Sequence, residues 1–200
     1  MARYTGPKHK VARRLGVDVF EKDSPSLRRR LRTRPGLHGR RPRRRTSEYG
    51  LQLLEKQKAR ATYGVLERQF RRLIERAQRR PGETGEELVA LLESRLDNVV
   101  YRLGFAKSRA MARQLVNHGH VRVDSRRVTI PSFQVKPGET IEISETAQEI
   151  PDVVQRVAEE RDVPPFLRRD GTSGAVLRRP EPGDVNVLFD VRQVIEFYAR

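Results

Sequence analysis

The chain has no cysteine and no tryptophan. Without cysteine there can be no disulfide staple, no Cys-ligated zinc and no thiol catalysis. A reducing compartment is compatible with that absence. Long apolar runs are missing too: none approaches the roughly 18 residues a membrane-spanning helix needs. The residues Met1 to Lys8 lead into no apolar stretch, so no secretory signal is expected and the simplest address is the cytoplasm. Acidic residues are scarce: 26 Asp plus Glu face 42 Lys plus Arg, a formal net charge of +16. This excess disfavours cationic partners and points to a polyanion, nucleic acid ahead of an anionic membrane surface.

High charge alone could mean disorder. Leu, Ile, Val and Phe number 52 of 200 residues, above the roughly 20% below which charged chains stay unfolded. The charge is graded along the chain. Residues 1–45 hold 16 basic and 3 acidic side chains, residues 46–127 hold 17 and 10, and residues 128–200 hold 9 and 13. The first segment also has the least apolar content, 8 of 45 residues, and is broken by Pro7, Pro25, Pro35 and Pro42. We expect a loosely structured arm that orders on its partner. The alternative is a solvated tail. Arg outnumbers Lys 35 to 7; base composition can cause such a bias, yet it suits planar, bidentate phosphate contact.

From Ser47 to Arg80 the pattern is helical, with Gly64 a point of division and Leu66, Phe70, Leu73 and Ala77 on one stripe. The remaining arginines there form either a solvated face or phosphate contacts. With only Glu67 and Glu75 beside them, phosphate contact is favoured. Pro81-Gly82 stops the helix. Thr84 to Glu87 reads as a capping box. A helix carrying Leu88, Leu91 and Leu92 follows, then one with Val99, Val100 and Leu103, then one capped by Ser108 and closed by Gly119. The period then changes to 2. Val121 and Val123 mark a strand, Ser125-Arg126 a turn, Val128 and Ile130 a second strand, and Thr140–Ser144 a third. Beyond a helix opened by Pro151, strands are expected at Phe166-Leu167, at Ala175–Leu177 and across Val185, Val187 and Phe189. Asp190 caps a final helix. The fold class expected is α+β.

No catalytic constellation emerges, and no cofactor is expected. There is no G-x-x-x-x-G-K and no G-x-G-x-x-G. His118 and His120 lack further ligands nearby, so no metal site is expected. Arg95-Leu96-Asp97 resembles the element bearing the catalytic aspartate of pseudouridine synthases. Those enzymes need a large catalytic domain, and about 100 residues follow, so Asp97 is read as a helix cap. No enzyme activity is expected.

The segment Ser108–Val123, with Arg126-Arg127-Val128, Pro131-Ser132, Val135 and Pro137-Gly138, resembles the S-four RNA-binding domain. That module occurs in ribosomal proteins, pseudouridine synthases, a tyrosyl-tRNA synthetase and a heat-shock protein. Further segments resemble the bacterial small-subunit (30S) ribosomal protein S-four family: Met1–Tyr4 with Gly6-Pro7 and Arg13-Arg14, Pro35–Gly39, Ser47–Gly50, Glu55–Lys58, Tyr63–Phe70 and Leu91–Arg102. The resemblance is weakest over 145–190.

The resemblance implies an extended basic arm over 1–45. It implies a helical domain over 46–95 completed by a returning C-terminal helix at 190–200, whose apolar face is Val194, Ile195 and Tyr198. It implies an S-four domain over 96–189 with its core at about 96–144. It further implies a primary binder of small-subunit ribosomal RNA that nucleates assembly at a multi-helix junction. Such a protein lies where mRNA enters the ribosome, contacts ribosomal protein S-five and contributes to translational accuracy. Some members also repress their own mRNA. Many carry a four-cysteine zinc site in the arm, which this chain lacks. The localisation implied is cytoplasmic, in the ribosome, with no membrane partner.

The residues expected to bind RNA lie in three groups. In the arm they are Arg3, Tyr4, Lys8, Lys10, Arg13, Arg14, Arg34, His38, Arg40, Arg41, Arg43, Arg44 and Arg45. In the helical domain they are Tyr49, Lys58, Arg60, Arg68, Arg71 and Arg72. In the S-four domain they are Arg102, Lys107, Ser108, Arg109, Arg113, Gln114 and His118. Tyr4, His38, Tyr49 and Tyr63 are candidates for stacking, with core packing equally open for the last two. Rival classes are an RNA-modifying enzyme with this domain attached and a free RNA chaperone.

Overall fold

The computed structural model describes residues 4–22, 24–39, 46–159, 162–181 and 183–199. In chain order its elements are α1 (Lys8–Leu15), α2 (Pro25–Arg30), α3 (Glu48–Tyr63), α4 (Glu67–Gln78), α5 (Thr84–Glu93), α6 (Leu96–Arg102), α7 (Arg109–Asn117), β1 (Val121–Val123), β2 (Arg126–Arg127), β3 (Thr140–Ile143), α8 (Glu145–Gln148), α9 (Pro151–Ala158), β4 (Leu167–Asp170), β5 (Ser173–Val176) and α10 (Val191–Tyr198). They form two compact units, Met1–Gly85 with Val187–Arg200, and Glu86–Asn186. The division comes ten residues before the 95/96 boundary expected from sequence, because the buried Leu88, Leu91 and Leu92 of α5 fall in the second unit.

The first unit is helical. Its arm departs from the loose segment expected: α1 packs on α2 and on α3. Ala12, Leu15, Val19 and Leu27 are buried, which holds helices too short to persist alone in water. The long helical stretch divides at Gly64, whose φ of 62° suits glycine and ends α3. Ser47 begins α3 by accepting from the Gly50 amide at 3.2 Å. The apolar face of α4 is shifted from the stripe expected: Phe70, Ile74 and Ala77 are buried, while Leu66 is exposed. Helix α10 returns onto α3. Its first turn is capped by Asp190, which accepts from the Arg192 and Gln193 amides at 2.9 and 3.3 Å. Tyr49 meets Phe197 with ring centroids 5.5 Å apart, and Phe70 meets Tyr198 at 6.2 Å. Val194 is fully buried, a contribution of about 1.5–3 kcal/mol for such a side chain.

The second unit packs helices beside an antiparallel sheet of order β2-β1-β3-β5-β4. Leu96, Val99, Leu103, Phe105, Ala112, Val116, Val121, Ile141 and Phe166 share its core. In β1 the burial alternates, Val121 and Val123 in and Arg122 out. The β1–β2 turn is Asp124-Ser125, one residue earlier than expected, with both φ values positive (47° and 64°). Two positive φ values match the right-handed twist of the flanking strands. Strand β2 stops at Arg127, so the strand expected through Ile130 is a loop. β4 and β5 form a tighter hairpin than read, with Asp170 already paired to Ser173. No strand forms over 185–189; Phe189 is buried in the first unit instead, 6.3 Å from the Tyr63 ring. Thr84 is the first helical residue of α5, and Glu87 in its first turn accepts from Arg179.

Candidate nucleic-acid interface

The segment linking α5, α6 and α7 carries buried charge. Glu93 is fully buried and accepts from Asn98 Nδ2 at 2.7 Å and from Arg102 Nε and Nη2, both at 2.9 Å. Asn98 passes the link on: its Oδ1 accepts from Arg109 Nε at 2.9 Å. The Arg109 guanidinium lies 4.5 Å from the centre of the Tyr101 ring. Beside this chain, Asp97 accepts from Arg95 Nε and Nη2 at 3.1 and 2.8 Å and from Arg113 Nη1 at 3.0 Å. Buried carboxylates persist only when paired in this way.

This geometry decides several sequence-based assignments. Asp97 is no helix cap; it sits in the first turn of α6, with Arg95 at the cap position. Its two arginine partners hold both oxygens, so it is not poised as a nucleophile. Arg102, half-buried, and Arg113, buried, are engaged by the carboxylates of Glu93 and Asp97. Ser108 caps α7, accepting from the Met111 amide at 3.3 Å. Lys107 is exposed and donates to Asp152 at 2.6 Å, a surface pair worth little against a polyanion. Gln114 and His118 stay on the outer face, and Arg109 is half-buried.

The sheet adds cations that the expected set omits. Arg122, Arg126 and Arg127 are exposed on the β1–β2 hairpin, and Arg122 faces Arg127 across the strands. Like charges directly opposite are unfavourable, a cost that an anion relieves. Arg127 Nη2 also donates to the His118 carbonyl at 3.2 Å, tying the hairpin to the end of α7. Thr140 holds Asp124 at the turn, through its amide at 2.8 Å and its hydroxyl at 2.9 Å. These bonds keep the Asp124 carboxyl below its ordinary range. The signal for the hairpin arginines was the polar half of the alternating pattern.

In the first unit, α4 presents a second basic surface. Arg68, Arg72, Arg76 and Arg79 fall within about 80° of helix circumference at 100° per residue, opposite Phe70, Ile74 and Ala77. All four are exposed. None of their side chains has a hydrogen bond or ion pair to another described residue. Arg76 and Arg79 belong to this stripe although the expected set stopped at Arg72. Arg71 is exposed and pairs with Glu75 at 3.3 Å.

Other expected residues are engaged or differently placed. Arg60 pairs with Glu67 at 2.6 Å and Lys58 with Glu55 at 2.6 Å. Lys56, 6% exposed, also donates to Glu67 at 3.1 Å and lies 4.2 Å from the Phe197 ring centre. The Tyr198 hydroxyl donates to Glu67 at 2.6 Å. Burial alone would raise the Glu67 carboxyl, but Tyr198, Lys56 and Arg60 together hold it below its ordinary value. Burial, then Glu67, push the Tyr198 hydroxyl upward. Tyr49 is half exposed against Phe197, whereas Tyr63 is buried. In the arm, Lys8 lies 5.7 Å from the Phe20 ring centre, and Tyr4, Lys10, Arg14, Arg34 and His38 are exposed. Arg13 donates to the carbonyls of Thr33 at 2.9 Å and Arg34 at 2.8 Å. Arg3, Arg40, Arg41, Arg43, Arg44 and Arg45 lie outside the described residues.

Among the described residues, no group of three His, Asp or Glu is placed to hold a metal ion. The cysteine-free arm does not fit a four-cysteine zinc site.

A helical unit and a helix-plus-sheet unit, each with an outward basic face, define an RNA-binding protein of the S4-domain class. The N-terminal domain of ribosomal proteins S4/S9 matches residues 3–93, and the S4 domain matches residues 94–141. The small ribosomal subunit protein uS4 of Roseiflexus castenholzii is 51% identical over 207 residues, covering 100% of both chains. Those of a Geobacillus species (strain WCH70) and of Chloroflexus aurantiacus are 48% and 50% identical, again over 100% of both chains. The chain belongs to the small ribosomal subunit protein uS4 family, a family of structural ribosomal proteins and not of enzymes.

Proposed function

We propose that the chain is a structural constituent of the small ribosomal subunit, in the cytoplasm, and a primary binder of its ribosomal RNA. It nucleates assembly at a multi-helix RNA junction, lies where mRNA enters and contributes to translational accuracy. Ribosomal protein S-five and neighbouring small-subunit proteins are its protein partners, and its own mRNA is a further RNA ligand. The observation that carries this reading is the α4 stripe: four exposed arginines without a carboxylate partner among the described residues. Such a face is costly unless phosphates supply the counter-charge. Full-length family membership supports the ribosomal setting. Arginines position the protein, while the shape of the junction supplies selectivity, since side chains read A-form grooves poorly.

Sedimentation of cell extract through a sucrose gradient in high salt tests the reading. The chain is expected with small subunits. Recovery in the soluble fractions alone contradicts it and favours a free RNA chaperone.

A further inference from the structure

The arm contains a recess that joins two arginines of the expected contact set, Arg13 and Arg34, to two outside it, Arg29 and Arg30. Arg13 from α1, Arg29 and Arg30 from the end of α2, and Arg34 from the following turn line a cavity of about 500 Å³. Thr33, Gly36, Leu37 and Gly39 complete the lining, and no carboxylate is among these residues. Arg29, Arg30 and Arg34 are exposed, and their side chains have no hydrogen bond or ion pair to another described residue, so the recess is lined by three guanidinium-bearing side chains without a described counter-charge. Arg13 fixes the wall, because its two bonds to the Thr33 and Arg34 carbonyls hold the turn against α1. The turn is specialised to close there. Gly36 has a φ of 101°, and a Cβ on Gly39 would stand 2.0 Å from the Arg34 carbonyl oxygen.

We propose that this recess is a structural phosphate site. A phosphate group bound between Arg29, Arg30 and Arg34 supplies the missing counter-charge and locks the 33–39 turn onto α1. Planar guanidinium groups offer paired donors that match phosphate oxygens. The group is either a backbone phosphate of RNA, which rests on the function proposed above, or free inorganic phosphate, which does not.

The test is amide hydrogen exchange on the full chain. The reporters are Thr33 and Gly39, whose amides donate to the Arg30 and Gly36 carbonyls at 3.0 and 3.2 Å. Sodium phosphate is titrated against sodium chloride at equal ionic strength. At ten times its dissociation constant, phosphate should slow exchange at both amides by about elevenfold. The slowing should vanish in an Arg29→Gln/Arg30→Gln variant and survive in an Arg72→Gln/Arg76→Gln variant. Equal slowing in chloride, or slowing retained without Arg29 and Arg30, overturns the site. A ribosomal RNA junction fragment separates the sources. Slowing that depends on Arg29 and Arg30 assigns the site to a backbone phosphate. A fragment that binds the chain but leaves both amides unchanged overturns that source, with the phosphate titration still deciding the site itself. Failure of the fragment to bind at all counts against the RNA-binding reading and not against the recess.

Discussion

At the scale of single residues, basic side chains of similar sequence character have opposite roles. Arg102 and Arg113 hold carboxylates inside the second unit, while Arg68 and Arg72 face solvent. Removing a buried partner leaves a charge uncompensated. Glu93→Ala should therefore cost about 3–5 kcal/mol, read as a lower urea midpoint with an unchanged slope. A change below about 1 kcal/mol would show that Glu93 does not hold Asn98 and Arg102 in solution. Glu67 makes a pH prediction. Its carboxyl is held below its ordinary value in the fold, so its contribution is fully present above the unfolded value of about 4.3. The contribution is lost as pH falls through the lower, folded value. Acid titration should loosen α10 from α3 and α4 in that window, and Glu67→Gln should remove that part of the pH dependence. The Tyr198 ring resonances report it, and an unaltered acid transition in the variant would contradict the assignment.

At the scale of elements, periodic features were legible and long-range pairings were not. Ser47, Gly64, Ser108 and Asp190 act through neighbours a few residues away, and their local roles could be read directly. The partners of Arg102, Arg113 and Glu87 lie 9, 16 and 92 residues distant, so no local pattern marks them. Val185, Val187 and Phe189 alternate as a strand would, yet Phe189 meets Tyr63 in the helical unit, and a packed aromatic overrides the pattern. The arm was misread for a related reason. Its four buried side chains are few, Ala12 and Leu15 on α1, Val19 between the helices and Leu27 on α2. Deleting residues 1–45 should accordingly lower the melting temperature of the helical unit while the second unit keeps its transition. Melting that is unchanged throughout would show that α1 and α2 do not pack in solution. Along α4 and its C-cap, replacing any one of Arg68, Arg72, Arg76 or Arg79 by Gln should reduce the log–log salt slope of RNA binding by about 0.7–0.9. The fold should be unaffected, since none of the four has a described partner. A variant of Arg102 or Arg113 should instead lose stability.

At the scale of the whole molecule, the net charge of +16 is unevenly used. The last third of the sequence carries a slight acidic excess, and several of its arginines are bound within the fold, Arg178 to Asp184 and Arg169 to the Arg156 and Val157 carbonyls. The field available to a partner comes from the arm, the α4 stripe and the β1–β2 hairpin. These surfaces are expected to bind RNA chiefly by neutralising phosphates. The most direct measurement is the affinity for a small-subunit ribosomal RNA junction as a function of salt. With about ten phosphates neutralised, the log–log slope should lie near −7 to −9. A slope shallower than about −3 would contradict the account.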